Sequence, residues 1–144
     1  MDRILIIDDE EHILELLDFN LSLEGYEVIT TMSSLDGLDI IKQDKPDLVL
    51  LDWMLPKMSG IELLNIIRSD EDYDDIAVIM LTAKNMEEDK LEGLTIGADD
   101  YVTKPFSIKE LSARVKNILK RYNKQDSNNK TNKLGSNKLK AGDL

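Results

Sequence analysis

Acidic residues occur at two places where a run of aliphatic residues ends. Asp8 and Asp9 follow the first such run and Asp52 ends another, while Thr82 and Lys104 directly follow two later strand-like segments. Carboxylates held close together repel one another, and a hard cation such as Mg²⁺ removes that repulsion while keeping places for waters and phosphate oxygens. Together with a hydroxyl and an ammonium group, this set is suited to phosphoryl transfer, with Asp52 as the nucleophile.

Each of these residues also has an ordinary explanation. The acids after the first strand could complement the dipole of the next helix, which stabilises a helix by about 0.3–1 kcal/mol per charge. Thr82 could be a turn residue or a helix cap, and Lys104 a solvated surface charge. Asp52 is harder to explain in this way, because a carboxylate at the end of a buried strand loses solvation. One shared site accounts for all of these positions, so it is the hypothesis we prefer.

The elements that would hold these residues alternate along the chain. Five strand-like runs each precede a segment with helical spacing, such as that of Leu16, Leu17, Leu21 and Leu23. The first, third and fourth runs are apolar without alternation, which is typical of strands buried on both faces of a parallel sheet. The pattern predicts an α/β fold, a (βα)5 doubly wound five-stranded parallel sheet. The predicted strands are Arg3–Ile7, Tyr26–Thr31, Asp47–Asp52, Ala77–Leu81 and Tyr101–Thr103, and the predicted helices are Glu10–Leu23, Ser34–Gln43, one that begins at Ile61, Glu87–Ile96 and Ser107–Arg121.

The predicted sheet brings the polar residues together. In a doubly wound sheet, ligands bind in the crevice beyond the carboxyl ends of the strands. Asp8, Asp52, Thr82 and Lys104 all stand at those ends. The sequence therefore predicts one polar site at one edge of the sheet.

Composition excludes several other classes. Acidic residues outnumber Lys and Arg by 29 to 18 in 144 residues, and residues 1–122 carry 27 of the acids against 13 basic residues. Such a domain repels the DNA backbone. The absence of cysteine excludes disulfides and thiolate chemistry. No apolar stretch approaches the length of a membrane span, and the N-terminal residues lack the pattern of a signal peptide. We expect a cytoplasmic protein with no membrane association.

Four segments, in this order, resemble the receiver domain of bacterial two-component response regulators. They are Ile4–Glu10 (Ile-Leu-Ile-Ile-Asp-Asp-Glu), Leu51–Pro56 (Leu-Asp-Trp-Met-Leu-Pro), Leu81–Ala83 (Leu-Thr-Ala) and Gly97–Phe106 (Gly-Ala-Asp-Asp-Tyr-Val-Thr-Lys-Pro-Phe). Each segment alone is a weak signal, but together they form a specific signature that spans about residues 3–121. The resemblance implies the flavodoxin-like, or CheY-like, arrangement of the fold, with strand order 2-1-3-4-5.

The resemblance also implies a role for each residue of the polar site. Asp52 would accept a phosphoryl group from a phosphohistidine of a sensor histidine kinase, and the domain would catalyse only its own phosphoryl uptake and slow loss. Asp8, Asp9 and Asp52 would bind Mg²⁺, or Mn²⁺ in its place, together with the backbone carbonyl of Met54. Lys104 would contact the phosphoryl group.

Two further positions would respond to phosphorylation in a protein that resembles this family. Thr82 would move toward the phosphoryl group, and Tyr101 would turn inward when it does; as an alternative, Tyr101 is an ordinary strand aromatic. The Lys104–Pro105 bond would be cis, an isomer that costs only about 0.5–1 kcal/mol at proline.

Within the family, residues 99–107 resemble the subfamily of the OmpR and PhoB type, whose output is a winged-helix DNA-binding domain. Phosphorylated receivers of that subfamily form homodimers through the fourth helix, the fifth strand and the last helix. The alternative is a solvated charged face, because exposed ion pairs contribute only about 0–1 kcal/mol each. The matching pairs here are Lys90 with Glu110, and Asp99 or Asp100 with Arg114 and Arg121.

Residues 123–144 are predicted to be a flexible linker or tail after a receiver domain at 1–122. They are polar and carry five lysines against two acids. Residues 139–144 resemble the start of a winged-helix domain, so we expect the protein to continue into a DNA-binding domain that makes its only contact with DNA. The alternative is a stand-alone receiver that acts through protein–protein contacts.

Two proteins of other classes fit the sequence less well. A phosphatase of the haloacid-dehalogenase type also uses an Asp nucleophile, but it needs a second acid two residues later, where this chain has Met54. A flavodoxin needs a Ser, Thr and Gly loop for the FMN phosphate after the first strand. This chain has four acidic residues there, from Asp8 to Glu11, which would repel that phosphate.

Overall fold

The computed structural model of the chain describes residues 2–83 and 94–135, with side chains as far as residue 123. Its strands begin and end within two residues of the predicted bounds. Residues 84–93 lie outside the described part, and with them Lys90 and most of the helix predicted at 87–96. The elements are β1 (Arg3–Ile7), α1 (Glu11–Leu23), β2 (Glu27–Thr31), α2 (Ser34–Asp44), β3 (Leu48–Asp52), α3 (Gly60–Arg68), a 3-10 turn (Glu71–Tyr73), β4 (Ala77–Ala83), β5 (Asp100–Lys104) and α4 (Ile108–Gly135).

The five strands form one parallel sheet in the order β2-β1-β3-β4-β5, which confirms the predicted order. The register places Asp52 beside Leu81 and Ala83 beside Lys104. Because all strands run in the same direction, their carboxyl ends lie at one edge of the sheet, and the predicted site residues are found there.

Alternate residues along β1 pack on opposite faces of the sheet, because successive side chains of a strand point in opposite directions. Ile4 and Ile6 belong to the apolar cluster that includes residues of α1 and α4, and Leu5 and Ile7 belong to the cluster that includes residues of α2 and α3. All four side chains are fully buried. The sheet is therefore a middle layer between two layers of helices.

The buried face of α1 is narrower than its apolar pattern suggests. Leu17 and Leu21 are buried as expected, whereas Leu16 is 44% exposed and Leu23 is 72% exposed. Leu14 completes the buried face instead. Residues 14, 17 and 21 lie on one side of a helix, whereas Leu16 and Leu23 project from the other side, where the sheet does not reach them.

The last helix is longer than predicted. It was expected to end at Arg121, but α4 continues to Gly135 through a segment that we expected to be a flexible linker. Once the packed part of a helix has formed, each further residue adds a backbone hydrogen bond without a new nucleation cost, so a polar sequence can continue it. The division of the chain at residue 122 into a receiver and a linker stays a prediction.

The structure offers no candidate for a membrane-spanning segment among the residues that it describes, because none of their helices combines sufficient length with sufficient apolar character.

Candidate functional site

Three carboxylates meet at the carboxyl edge of the sheet. Asp8 follows β1, Asp9 comes next, and Asp52 is the last residue of β3. One oxygen from each lies within 4.8 Å of the others. Asp8 is fully buried and Asp52 is 5% exposed, while Asp9 is open to solvent. The site is therefore anchored in the core and accessible from one side.

Lys104 brings a positive charge to these acids from the end of β5. Its ammonium nitrogen lies 2.8 Å from Oδ2 of Asp8, 3.5 Å from Oδ2 of Asp52 and 3.7 Å from a carboxylate oxygen of Glu10. The second oxygen of Asp8 accepts a hydrogen bond from the backbone N–H of Glu10 at 2.8 Å. Asp8 thus has partners on both oxygens and holds Lys104 beside Asp52.

A close backbone approach fixes Asp52. Its Oδ1 accepts a hydrogen bond from the backbone N–H of Met54 at 3.2 Å, and the N–H of Trp53 donates to the carbonyl of Leu81 at 2.9 Å. At Gly60, the first residue of α3, a Cβ atom would lie 2.1 Å from the carbonyl oxygen of Asp52. Only glycine fits there, so the start of α3 packs directly on the backbone of Asp52.

The loop between β3 and α3 is held at several points. The hydroxyl of Ser34 in α2 donates to the carbonyl of Met58 at 2.7 Å, and Ser34 is 3% exposed. Ser59 and Glu62 form a reciprocal capping box at the start of α3. These contacts order the segment that follows Asp52, which includes Met54, the predicted carbonyl ligand. The side chain of Met54 itself is 63% exposed.

The surroundings of Asp52 disfavour its ionised carboxylate. Burial, followed by the negative charge of Asp8, raises the pKa of Asp52 from 3.8 to about 6, although Lys104 and the Met54 N–H act in the opposite direction. Burial alone would lower the pKa of Lys104, but the hydrogen bond to Asp8 and the charge of Asp52 raise it above its ordinary value. Lys104 therefore stays charged, and Asp52 remains short of positive charge.

The donor set fits a hard divalent cation. It combines three carboxylates within reach of one another with the exposed side of Asp9, where waters could complete the coordination. Mg²⁺ prefers oxygen ligands of this kind and keeps several waters. Asp8, Asp9 and Asp52 could hold it, and the unmet negative charge on Asp52 is what such an ion would compensate.

Thr82 and Tyr101 lie on neighbouring strands, Thr82 near the carboxyl end of β4 and Tyr101 nearer the amino end of β5, where it pairs with Met80. Thr82 is fully buried, and its hydroxyl donates to the carbonyl of Ala83 at 2.9 Å. Tyr101 is partly buried and packs against the cluster on the α2 and α3 side of the sheet. The Lys104–Pro105 peptide bond is cis.

The residues predicted for a dimer face are only partly together. Arg114 in α4 binds both carboxylate oxygens of Asp100 at 2.8 and 2.9 Å, and it lies 3.4 Å from Glu110. Arg121 is exposed. Asp99 is not beside these residues, because its carboxylate is largely buried and is bound by Arg68 and Tyr122. The dimer proposal below therefore uses Asp100, whose present partner Arg114 belongs to the same chain.

Sequence reasoning missed an apolar surface beside the site. Leu16 and Phe19 of α1 are 44% and 66% exposed. Leu16 lines a cleft of about 440 Å³, together with Phe106 and Lys104. A helical projection of α1 would have revealed this surface, since Leu16 and Phe19 project from the side of the helix away from the buried stripe.

The fold and this site define a phosphoacceptor signalling domain, and the chain belongs to the family of response regulator receiver domains, which matches residues 4–116. Over 124 residues it is 50% identical to the phosphate regulon transcriptional regulatory protein PhoB of Pseudomonas aeruginosa. That match covers 86% of this chain and 54% of the relative, so the chain spans about half the length of that protein.

Solved structures agree with this assignment. The receiver domain of the Francisella response regulator 1452 is 36% identical, with a TM-score of 0.78 over 84% of this chain and 98% of its own. A CheY-like receiver domain protein from Methanospirillum hungatei is 34% identical, with a TM-score of 0.81 over 87% of this chain and 98% of its own.

Proposed function

We propose that this domain accepts a phosphoryl group on Asp52 in a Mg²⁺-dependent reaction. The observation that carries the proposal is the arrangement around Asp52: a nearly buried carboxylate beside two others, with the ammonium of Lys104 at 3.5 Å. Burial and Asp8 raise the pKa of Asp52 to about 6, which shows that its ionised form lacks compensating charge. A bound divalent cation would supply that compensation.

In the proposed reaction, an oxygen of Asp52 attacks the phosphorus of a phosphohistidine. The new O–P bond forms as the N–P bond breaks, and the electron pair of that bond stays on the histidine nitrogen, which is then free to take up a proton. Lys104 would bind a phosphoryl oxygen and balance its charge. A bound Mg²⁺ would neutralise the phosphoryl oxygens. The hydroxyl of Thr82 would exchange its contact with Ala83 for one with the phosphoryl group, and Tyr101 would follow it inward.

The phosphate donor would be a sensor histidine kinase that docks against α1. A donor must bring its phosphohistidine to Asp52 from the solvent side, so its surface must cover the rim of the site. The apolar cleft that includes Leu16 and Phe106 lies on that rim, because Lys104 forms part of its lining. Exposed apolar area next to a reactive site is a feature of protein-docking surfaces.

The output would be transcriptional, through a DNA-binding domain beyond this chain. The likeness to PhoB of Pseudomonas aeruginosa, named as a transcriptional regulatory protein, supports this, as does the share of that relative's length that this chain covers. Phosphorylation would promote a homodimer through Asp100, Glu110, Arg114 and Arg121, together with Lys90. Beryllofluoride, a phosphoryl mimic, should raise the mass measured by light scattering toward that of a dimer; an unchanged mass would refute the dimer.

Metal binding can be followed by the fluorescence of Trp53, the only tryptophan in the chain. It directly follows Asp52 and is 6% exposed. Titration with Mg²⁺ should change the emission of the wild-type protein and of Asp39→Asn, an exposed control on α2. The Asp8→Asn variant should respond only at much higher Mg²⁺ concentration, and an equal response from it would contradict the proposed site.

Phosphoryl uptake is tested with labelled acetyl phosphate in Mg²⁺. The wild-type protein and Asp39→Asn should incorporate label, and Asp52→Asn should not. Label on Asp52→Asn at the wild-type level would refute the function proposed for Asp52.

A further inference from the structure

A second polar cluster lies at the amino ends of the strands, whereas the phosphoacceptor site lies at their carboxyl ends. Its side chains are those of Arg68 at the end of α3, Asp99 just before β5, and Tyr122 in α4. The Arg68 and Asp99 side chains are only 15% and 20% exposed. The backbone of Asp99 pairs with Val78, near the amino end of β4. None of the roles proposed above uses this cluster.

Hydrogen bonds connect each of the three side chains to the other two. The hydroxyl of Tyr122 lies 2.8 and 2.9 Å from the two carboxylate oxygens of Asp99 and donates to that carboxylate. Nη2 of Arg68 donates to Asp99 at 3.1 Å and to the Tyr122 oxygen at 3.5 Å. Asp99 also accepts the backbone N–H of Val78 at 2.8 Å. The carboxylate is therefore held by α3, β4 and α4 at once.

Neighbouring backbone fixes the guanidinium of Arg68. Its Nε donates to the carbonyl of Gly97 at 2.8 Å, and Nη1 lies 3.4 Å from the carbonyl of Tyr73. Gly97 has a φ of +130°, and a Cβ there would lie 2.9 Å from Cγ of Arg68. The turn before β5 thus packs closely on Arg68, so the cluster is part of the folded core rather than a surface ion pair.

Within the cluster, the phenol of Tyr122 donates a hydrogen bond to Asp99. Burial, and then the charge of Asp99, raise the pKa of the Tyr122 phenol above its ordinary value. The phenol stays protonated and continues to donate to Asp99.

Two kinds of contact hold α4 against the sheet: hydrogen bonds, from Tyr122 to Asp99 and from Arg114 to Asp100, and apolar contacts. Leu111, Val115, Ile118 and Leu119 of α4 are buried in the apolar cluster. Apolar contacts have no preferred direction, so they let a helix slide or rotate by small amounts, whereas a hydrogen bond restricts both distance and angle. Tyr122 therefore fixes the orientation of the helix at that turn.

The strand β5 runs from the second cluster, at the amino ends of the strands, to the phosphoacceptor site, at their carboxyl ends. At its carboxyl end Lys104 contacts Asp8 and Asp52, and just before its amino end Asp99 contacts Tyr122. A five-residue strand spans roughly 16 Å and is stiff while it stays paired. A shift of β5 at Lys104 therefore also moves Asp99.

We propose that Tyr122 is a positioning residue that transmits phosphorylation of Asp52, through Lys104, β5 and Asp99, to α4. A phosphoryl group on Asp52 gives Lys104 a new partner and changes the position of β5. The hydrogen bond from Tyr122 to Asp99 then changes the orientation of α4 at the turn of Tyr122, before the helix continues to Gly135. This inference depends on the proposed function of Asp52.

The test compares Tyr122→Phe with Tyr26→Phe in the full chain. Tyr122→Phe removes only the hydroxyl and keeps the ring. Tyr26 is also partly buried against the core, and within the described residues its hydroxyl has no hydrogen-bond partner, so Tyr26→Phe is the matched control. Hydrogen exchange of the backbone amides of residues 118–123 is measured in Mg²⁺, with and without beryllofluoride, and Trp53 fluorescence reports occupancy of the site.

Beryllofluoride should change the exchange rates at 118–123 in the wild-type protein and in Tyr26→Phe. In Tyr122→Phe these amides should exchange about tenfold faster without the mimic, because a hydrogen bond to a charged group is lost. Trp53 should still respond to the mimic in this variant, but the exchange rates at 118–123 should no longer change. A merely structural role for Tyr122 would leave that change intact, and this result would overturn the inference.

One further outcome separates this inference from the proposed function. If Trp53 responds and Asp52 takes up phosphate in the wild-type protein, while 118–123 show no change, the inference fails and the function of Asp52 stands. If Asp52 takes up no phosphate, both fail.

Discussion

Replacement of Asp52 by Asn should make the metal-free protein more stable at neutral pH. Burial, and then the charge of Asp8, raise the pKa of Asp52 from 3.8 to about 6 in the folded protein. The folded state then binds the proton more tightly than the unfolded chain, so stability is lost as the pH rises from about 4 to above about 6. Each pKa unit corresponds to about 1.4 kcal/mol, which gives a cost of roughly 3 kcal/mol for the ionised carboxylate at pH 7.5.

Asn keeps the size of the side chain and can still accept the N–H of Met54, but it carries no charge. We therefore expect Asp52→Asn to raise the free energy of unfolding by about 2–3 kcal/mol at pH 7.5, and the gain to disappear near pH 4, where Asp52 is neutral as well. Mg²⁺ should narrow the difference, because the wild-type protein, with all three carboxylates, binds the ion more tightly than Asp52→Asn and is stabilised more by it.

Urea unfolding with a chelator present, repeated across this pH range, measures the effect. Asp39→Asn, which removes an exposed carboxylate from α2, should change stability by no more than about 0.5 kcal/mol at any pH. Equal stability of Asp52→Asn and the wild-type protein at neutral pH, or a gain that persists unchanged at acid pH, would refute the reasoning about charge in the site.

Three other substitutions test the neighbourhood of the site. Gly60→Ala should lower the thermal midpoint and slow phosphoryl uptake, with a loss of about 2 kcal/mol or more, because its Cβ would lie 2.1 Å from a backbone carbonyl; Gly37→Ala should cost less, because its Cβ meets the flexible end of a side chain. Lys104→Gln should still bind Mg²⁺, as measured by Trp53 fluorescence, but this fluorescence should no longer respond to beryllofluoride. An undiminished response to beryllofluoride would count against the role of Lys104 in binding the phosphoryl group. Arg114→Ala should change the stability of the monomer by less than about 1 kcal/mol and abolish dimerisation by light scattering with beryllofluoride, and persistence of the dimer would exclude this face.

The sequence predicts the strands and the site because both depend on local signals. Runs of Ile, Leu and Val mark strands buried on both faces, and the parallel arrangement alone brings Asp8, Asp52 and Lys104 to one edge. Their distances could not be predicted, because the 2.8 Å contact of Lys104 with Asp8 depends on how β5 pairs with β4.

Features that depend on packing between distant segments were missed. The cluster of Arg68, Asp99 and Tyr122 joins residues up to 54 positions apart, and a charge pattern favoured a different partner for Asp99. The exposure of Leu16 was missed as well, although a helical projection of α1 places this residue away from the buried stripe. The continuation of α4 to Gly135 depends on a helix nucleated by packed residues earlier in the same element.

The most direct test of the central claim is the site of phosphoryl attachment. Intact mass measured after incubation with acetyl phosphate and Mg²⁺ should show a gain of one phosphoryl group in the wild-type protein, and borohydride reduction followed by peptide mapping should locate it on Asp52. The gain should be absent without Mg²⁺ and absent in Asp52→Asn. A phosphoryl group found on another residue, or an equal gain in Asp52→Asn, would contradict the account.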